Sequence, residues 1–200
     1  MSLCLEPIIL ASASASRRAM LTNVKIEHRI VPSQIDERAI EAEMAGSDAA
    51  EIAQALAAAK AAAVSAEHRG MWVLGSDSLV EAGGRRFDKP TDRAAAAEHL
   101  RKFSGQAITL HSAAVLARDG RIEWVESDFA RLSVRELSEA FLEAYLEAEW
   151  PAIAGCVGVF RVEGLGPQLF ERITGDHFTV LGMPLMPVLA ALRERGVLLA

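Results

Sequence analysis

The chain is nearly devoid of cysteine: Cys4 and Cys156 are its only two in 200 residues, and neither has a CxxC or metal-ligand spacing. This excludes a disulfide framework and a zinc ribbon, and predicts a reduced, cytoplasmic protein. No basic segment precedes the first apolar run, and Glu6 interrupts that run before a signal-peptide core can form. No apolar stretch approaches the length of a membrane span, so no membrane partner is expected. Positive charge is in the minority, with 21 Lys and Arg against 27 Asp and Glu, a formal net charge of −6. That argues against a nucleic-acid binder, which carries a basic face. It leaves room for a small anionic ligand, because Arg17, Arg18, Lys60 and Lys89 can still build one local positive pocket. Internal repeats are absent as well.

What remains is globular. Hydrophobic residues make up 51% and charged residues 24%, enough for a real core in one domain over residues 1–200, either simple or with two lobes around a central cleft. The most informative stretch is Leu10 to Leu21, L-A-S-A-S-A-S-R-R-A-M-L, between the apolar run Ile8-Ile9-Leu10 and good helix formers. Ser12, Ser14 and Ser16 are candidate N-caps at a strand-to-helix turn. Arg17 and Arg18 in the first helical turn oppose the helix dipole, and an anion held by backbone N–H groups, hydroxyls and a guanidinium would reverse that conflict. A capped helix with solvated arginines is the plainer alternative.

Farther along, Glu27 to Val31 reads as a strand, and Ser33 to Glu37 as a polar turn into helical sequence. Ser47 or Asp48 caps a long helix ending near Gly70. Ile52, Leu56, Lys60 and Val64 recur every four residues, so Lys60 lies on or beside the buried stripe, unless it snorkels as a surface lysine. Met71 to Leu74 reads as a buried strand ending in Gly75-Ser76-Asp77-Ser78, which puts Asp77 at a strand end, where α/β sheets gather ligands; a cap or turn former is the alternative. Arg85 to Phe87 is a short return, Asp88-Lys89-Pro90 a corner, and Thr91 or Asp92 caps the helix through Lys102. Ile108 to Ala117 and Ile122 to Leu132 form a hairpin about Asp119-Gly120. His111, inside the outgoing strand, reads as a core or edge residue. Ser133 or Ser138 starts a helix that Trp150-Pro151 ends. Six glycines then punctuate the chain from Gly155 to Gly182, with Glu163, Glu171 and Arg172 among them, before a closing helix from Leu185 to Arg195.

Taken in order, several blocks resemble the Maf family of nucleoside triphosphate pyrophosphatases. They are L-A-S-A-S-A-S-R-R-A-M-L, Gly75-Ser76-Asp77, Lys89-Pro90, Ser104-Gly105 with His111 following, Ala154-Gly155, and E-G-L-G-P-Q-L-F-E-R-I-T-G-D with L-G-M-P-L after it. The resemblance implies an α/β fold with a curved mixed sheet flanked by helices, like that of the inosine-triphosphate pyrophosphatases. It implies cleavage between the α- and β-phosphates of a nucleoside triphosphate with a divalent cation, Mg or Mn. Ser12 and Ser14 then match the serines of the phosphate loop, Arg17 its arginine, Lys60 the lysine of the long helix, and Lys89 the lysine before proline. Asp77 matches the catalytic base. A carboxylate there can activate water or ligate the metal, and Glu37 matches an acidic residue that would support it. Such chemistry consists mostly of positioning and cationic stabilisation.

The departures bear on the base. Ala15 replaces a proline and Ser16 an arginine; Ser78 replaces a threonine; Ile153 replaces a lysine; Glu163 replaces a glutamine. Together they resemble the branch acting on methylated guanosine triphosphate more than the branch acting on dTTP and UTP. A carboxylate at Glu163 accepts hydrogen bonds only, matching the N1–H and N2–H donors of guanine; a salt bridge to a nearby arginine is the alternative. Ser16, Ser78 and Glu163 are thus the expected substrate contacts beyond the phosphate loop. A nucleotide-binding regulator of cell division or septum formation, and a sugar-phosphate binder, are the competing functions. A homodimer is compatible with the sequence.

Overall fold

The computed structural model of the chain describes residues 3–200. Its centre is an open, seven-stranded mixed sheet in the order β2-β1-β3-β5-β6-β7, with β4 paired to β3. The strands are β1 (Ile8–Leu10), β2 (His28–Ile30), β3 (Val73–Ala82), β4 (Arg85–Phe87), β5 (Ala107–Arg118), β6 (Arg121–Val134) and β7 (Phe170–Thr174). The helices are α1 (Ala15–Asn23), α2 (Glu37–Glu43), α3 (Ala49–Glu67), α4 (Arg93–Phe103), α5 (Glu139–Glu149), α6 (His177–Val180) and α7 (Leu185–Glu194). Only β1, β2 and the start of β3 run parallel; the rest of the sheet is antiparallel. The α/β expectation therefore holds, with a mixed sheet flanked by helices.

Strand alternation explains how the layers divide. Ala113, Val115 and Ala117 of β5 join Leu79 against Ile52, Ala53, Leu56, Ala57 and Ala61 of α3. Ala114 and Leu116 turn to the other face, where α1 and α7 pack on them with Met20, Leu21, Val188 and Leu192. Farther along that same face, Val80, Ala82, Ile108 and Leu110 meet α4 and α5 through Leu100, Phe103, Leu142 and Tyr145. Two apolar cores therefore share one sheet face, matching the two-lobed expectation. Between them, at the same alternating positions, stand Ser76, Ser78 and Ser112. Ser76 and Ser112 are fully buried, so the boundary between the cores is a polar band inside the protein.

Local signals act where expected. Ser14, Asp48, Asp92 and Ser138 are the N-caps of α1, α3, α4 and α5, and Asp48 with Glu51 closes a capping box. Three expectations need correction. The strand from Met71 does not end before Gly75-Ser76-Asp77-Ser78 but runs through them to Ala82, because β5 pairs with it along the whole length. Ser133 lies within β6 and caps nothing. The glycine-rich segment, for which no strand or helix was expected, holds an edge strand, β7, and the short helix α6.

Candidate active site

The long run of β3 creates the site. On one edge β5 pairs with it from Val73 to Ala82. On the other, β1 pairs only at Val73 and Leu74, and β4 only from Val80 to Ala82. Gly75 to Leu79 therefore has no strand partner on that edge, and Asp77 is in the middle of the gap. The Ser12–Ser14 turn follows β1 on one side, and Asp88-Lys89-Pro90 follows β4 on the other. Asp77 is thus inside a strand, yet just past the carboxyl end of its parallel partner β1, the position at which α/β sheets place ligands.

Asp77 points to the α3 face. The same face carries Gly75, where a Cβ would come within 2.3 Å of the Ala57 carbonyl oxygen. That close approach seats α3 so that Lys60, 8% exposed, reaches over β3. Lys60 Nζ donates to Asp77 Oδ1 at 2.5 Å and lies 2.9 Å from Glu37 Oε1. One buried ammonium thus holds two carboxylates, one almost buried and one, at the start of α2, half-exposed. The stripe position of Lys60 was legible in sequence; its role as clamp on the candidate base was not. The neighbouring residue of α2 continues outward, with Arg38 bonded to Asp88 at 2.9 Å, so α2 links the acidic pair to the Lys89 corner.

Arg17 comes in from the opposite face. Its Nε donates to Gly182 O at 2.9 Å, Nη1 to Ser12 Oγ at 3.2 Å and Ser76 O at 2.9 Å, and Nη2 to Ser78 Oγ at 2.9 Å. Four of its five N–H donors are thereby used within the protein. Burial pushes its pKa below the usual guanidinium range, while Asp77 and Glu37 pull it back up, which places the three charges within electrostatic reach of one another. Arg17 fastens the serine turn, β3 and the Gly182 turn together, and has one N–H left for a ligand. Ser78 also bonds Ser112 Oγ, and Ser112 donates to Thr179 O. Ser112 and Thr179 escaped sequence reasoning, and Ser76 and Gly182 entered it only within motif blocks, without a role. The signal available was a serine, Ser112, at an inward position of an otherwise apolar strand.

Ser14 Oγ accepts from Arg17 N, and Ser14 N donates to Ser12 Oγ. The first N–H groups of α1, from Ala15 and Ser16, precede the capped one and are open by helix geometry. Ser16 is half-buried, with no hydrogen bond to its hydroxyl among the described residues. Lys89 and Glu163 are exposed and touch neither Asp77 nor Lys60. Both act on Cys156, whose thiol is pushed up by burial first, then by Glu163, and is drawn down by Arg161 and Lys89. No ion pair engages Glu163 among the described residues; the available arginine, Arg161, is taken by Glu149 at 2.9 Å.

The donor set suits a divalent cation of the magnesium class. Such an ion keeps most of its waters and binds through one or two carboxylates together with phosphate oxygens. Asp77 and Glu37 supply two carboxylates whose second oxygens have no partner among the described residues, and no cluster of three or more ligating side chains occurs there.

Similarity to known proteins extends along nearly the whole chain. A chain named nucleoside triphosphate pyrophosphatase from Nitrobacter hamburgensis is 46% identical over 96% of each chain. One named 7-methyl-GTP pyrophosphatase from Rhizobium etli is 44% identical over 96% of this chain and 97% of that one. Among solved structures, the Staphylococcus aureus Ham1 protein covers 96% of this chain and 100% of its own at 13% identity and a TM-score of 0.45. The Coxiella burnetii HAM1 protein covers 65% and 73% at 16% identity and a TM-score of 0.42. A family model described as Maf-like protein matches residues 7–195, nearly the whole length, and on that span the chain belongs to the Maf-like protein family.

Proposed function

We propose that this protein is a nucleoside triphosphate pyrophosphatase that releases a nucleoside monophosphate and pyrophosphate. The observation that carries the reading is the Asp77 carboxylate, clamped by Lys60 beside Glu37 on the unpaired edge of β3, next to the Ser12–Ser14 turn. The names of relatives above 40% identity support the same activity. In this reading Asp77 takes a proton from a water, the water oxygen bonds to the α-phosphorus, and the α–β bridging bond breaks with its electrons going to the departing pyrophosphate. The open N–H groups of α1 and the serine turn hold phosphate oxygens. A divalent cation, Mg or Mn, held by Asp77 and Glu37, would neutralise charge on those oxygens. Lys60 fixes the carboxylate and adds fixed positive charge beside it.

For the base, Glu163 supports a guanine-type substrate, because its carboxylate is exposed, unpaired among the described residues and acceptor-only. A small Ser16 in place of a bulky side chain leaves space beside the loop. The test is pyrophosphate release from a panel of 7-methyl-GTP, GTP, UTP and dTTP with Mg²⁺ or Mn²⁺. Preference for 7-methyl-GTP or GTP, reduced at least tenfold by Glu163→Gln, is expected. Preference for the pyrimidines rejects the guanine reading, and tight binding without pyrophosphate release rejects the enzyme.

A further inference from the structure

The polar band between the two cores reaches one strand beyond the serines. Ser78 of β3, Ser112 of β5 and Asp128 of β6 are direct neighbours across three adjacent strands. Asp128 therefore lies on the same sheet face as the two serines, in line along β6 with the fully buried Ala130 and Leu132. A carboxylate at such an inward position is costly unless it is paired. Its partner is Thr179 of α6, itself fully buried, whose Oγ1 lies 2.7 Å from Asp128 Oδ2. A carboxylate only accepts, so the threonine hydroxyl donates its single hydrogen to Asp128.

Thr179 is fixed through its backbone as well. Its N–H donates to Asp176 Oδ1 at 3.3 Å, and its carbonyl oxygen accepts from Ser112 Oγ and from the Gly182 N–H, both at 3.0 Å. The last of these closes the turn whose outer carbonyl, Gly182 O, accepts from Arg17 Nε at 2.9 Å, Ser78 Oγ at 2.9 Å and Ser76 Oγ at 3.2 Å. Gly182 takes a φ of +102°, and a Cβ there would come within 3.2 Å of Ser78 Oγ, so the turn is closely seated on β3. A continuous hydrogen-bonded path thus runs from Asp128 through Thr179 and the Gly182 carbonyl to Arg17. Arg17 Nη1 ends it on Ser12 Oγ, in the serine turn. Asp77 and Lys60 occupy the other face of β3 and make no hydrogen bond to this path among the described residues.

We infer that Asp128 and Thr179 are positioning residues for the serine turn: the Asp128 carboxylate holds the Thr179 hydroxyl and, through the Gly182 carbonyl, sets Arg17 and Ser12 in the geometry that receives a nucleotide. The inference rests on the pyrophosphatase reading only for what that turn holds. Since the path avoids Asp77, its loss acts on binding and spares the chemical step, which appears as a raised KM at constant kcat. The test has two readouts: amide hydrogen exchange of the nucleotide-free chain, and steady-state pyrophosphate release with Mg²⁺ and whichever nucleoside triphosphate of the panel is cleaved fastest. Thr179→Val keeps the shape and removes only the hydroxyl. It speeds exchange by about fivefold in residues 11–18 as well as 176–183, leaves α4 unchanged, and raises KM by about fivefold with kcat within twofold. Asp128→Ala does the same. Asp128→Asn keeps an acceptor oxygen and Thr179→Ser keeps the hydroxyl, so both stay within twofold of wild type in each readout. Wild-type exchange in residues 11–18 of Thr179→Val, an unmoved KM in that variant, or a loss in Asp128→Asn equal to that in Asp128→Ala overturns the inference. Because exchange needs no nucleotide, a chain that gives the expected exchange pattern yet releases no pyrophosphate rejects the enzyme reading alone.

Discussion

An ammonium shared by two carboxylates is a demanding arrangement for a nearly buried lysine. Removing it leaves Asp77 facing β3 and α3 without its counter-charge, so Lys60→Ala is expected to destabilise the fold by roughly 3 kcal/mol, the usual cost of breaking a buried pair. Chemical denaturation measures this, and a midpoint equal to wild type contradicts the clamp. Neutralising the acid is different, because the carbonyl oxygen of an amide side chain can still accept from Lys60. Asp77→Asn is therefore expected to keep the fold and lower kcat by about 10³, the scale of a lost general base. Sequence spacing gave away that Lys60 sits on a buried stripe, but it put Asp77 at a strand end where the structure has it inside β3. It could not reveal that they face each other, since that depends on the register of α3 on β3. Arg17 is the instructive partial mismatch: its oddness in the sequence was real, but most of its donors hold protein groups.

At the scale of elements, β3 decides the site. Gly75 is required by contact and not by backbone angle, as a Cβ would lie 2.3 Å from Ala57 O and 2.8 Å from Ala61 N. Both are helix backbone atoms, which cannot rotate away. Gly75→Ala is expected to lower stability by about 3 kcal/mol through overpacking, and to reduce activity beyond the loss of folded protein by moving Lys60 off Asp77; an unperturbed melting temperature would be inconsistent with this seat. The hairpin at Asp119-Gly120 was readable because both residues take positive φ, which that dipeptide favours. The continuation of β3 was not readable, since Gly-Ser-Asp-Ser has the composition of a turn and is held straight by ten residues of pairing with β5. On α4, His99 has its pKa lowered by burial and Lys102. Such a group supports the folded state above its unfolded pKa of about 6.5, and that support is lost as pH falls below it. The melting temperature should therefore drop between pH 7.5 and 5.5, and drop less in His99→Gln; equal drops would show that His99 does not link protonation to folding.

Across the whole molecule, two apolar cores on one sheet face are separated by a band of serines, and the arginine, lysine and carboxylates gather where that band meets the open edge of β3. The serine turn that caps α1 was legible because capping residues act locally. The band was not, because Ser76, Ser112 and the Thr179–Gly182 turn come from three separate segments. A loop beside the exposed Glu163 is fixed in the same nonlocal way, by Glu149 accepting from Arg161 and from the Leu165 N–H at 2.9 Å. The central claim, that the Asp77 carboxylate on that edge activates the water that cleaves a nucleoside triphosphate, is tested most directly by the rate of pyrophosphate release by wild type and Asp77→Asn under saturating nucleotide and Mg²⁺. Steady release by wild type and a loss of about 10³ in the variant, with its melting temperature retained, are the expected results; comparable release by a folded Asp77→Asn protein would contradict the claim.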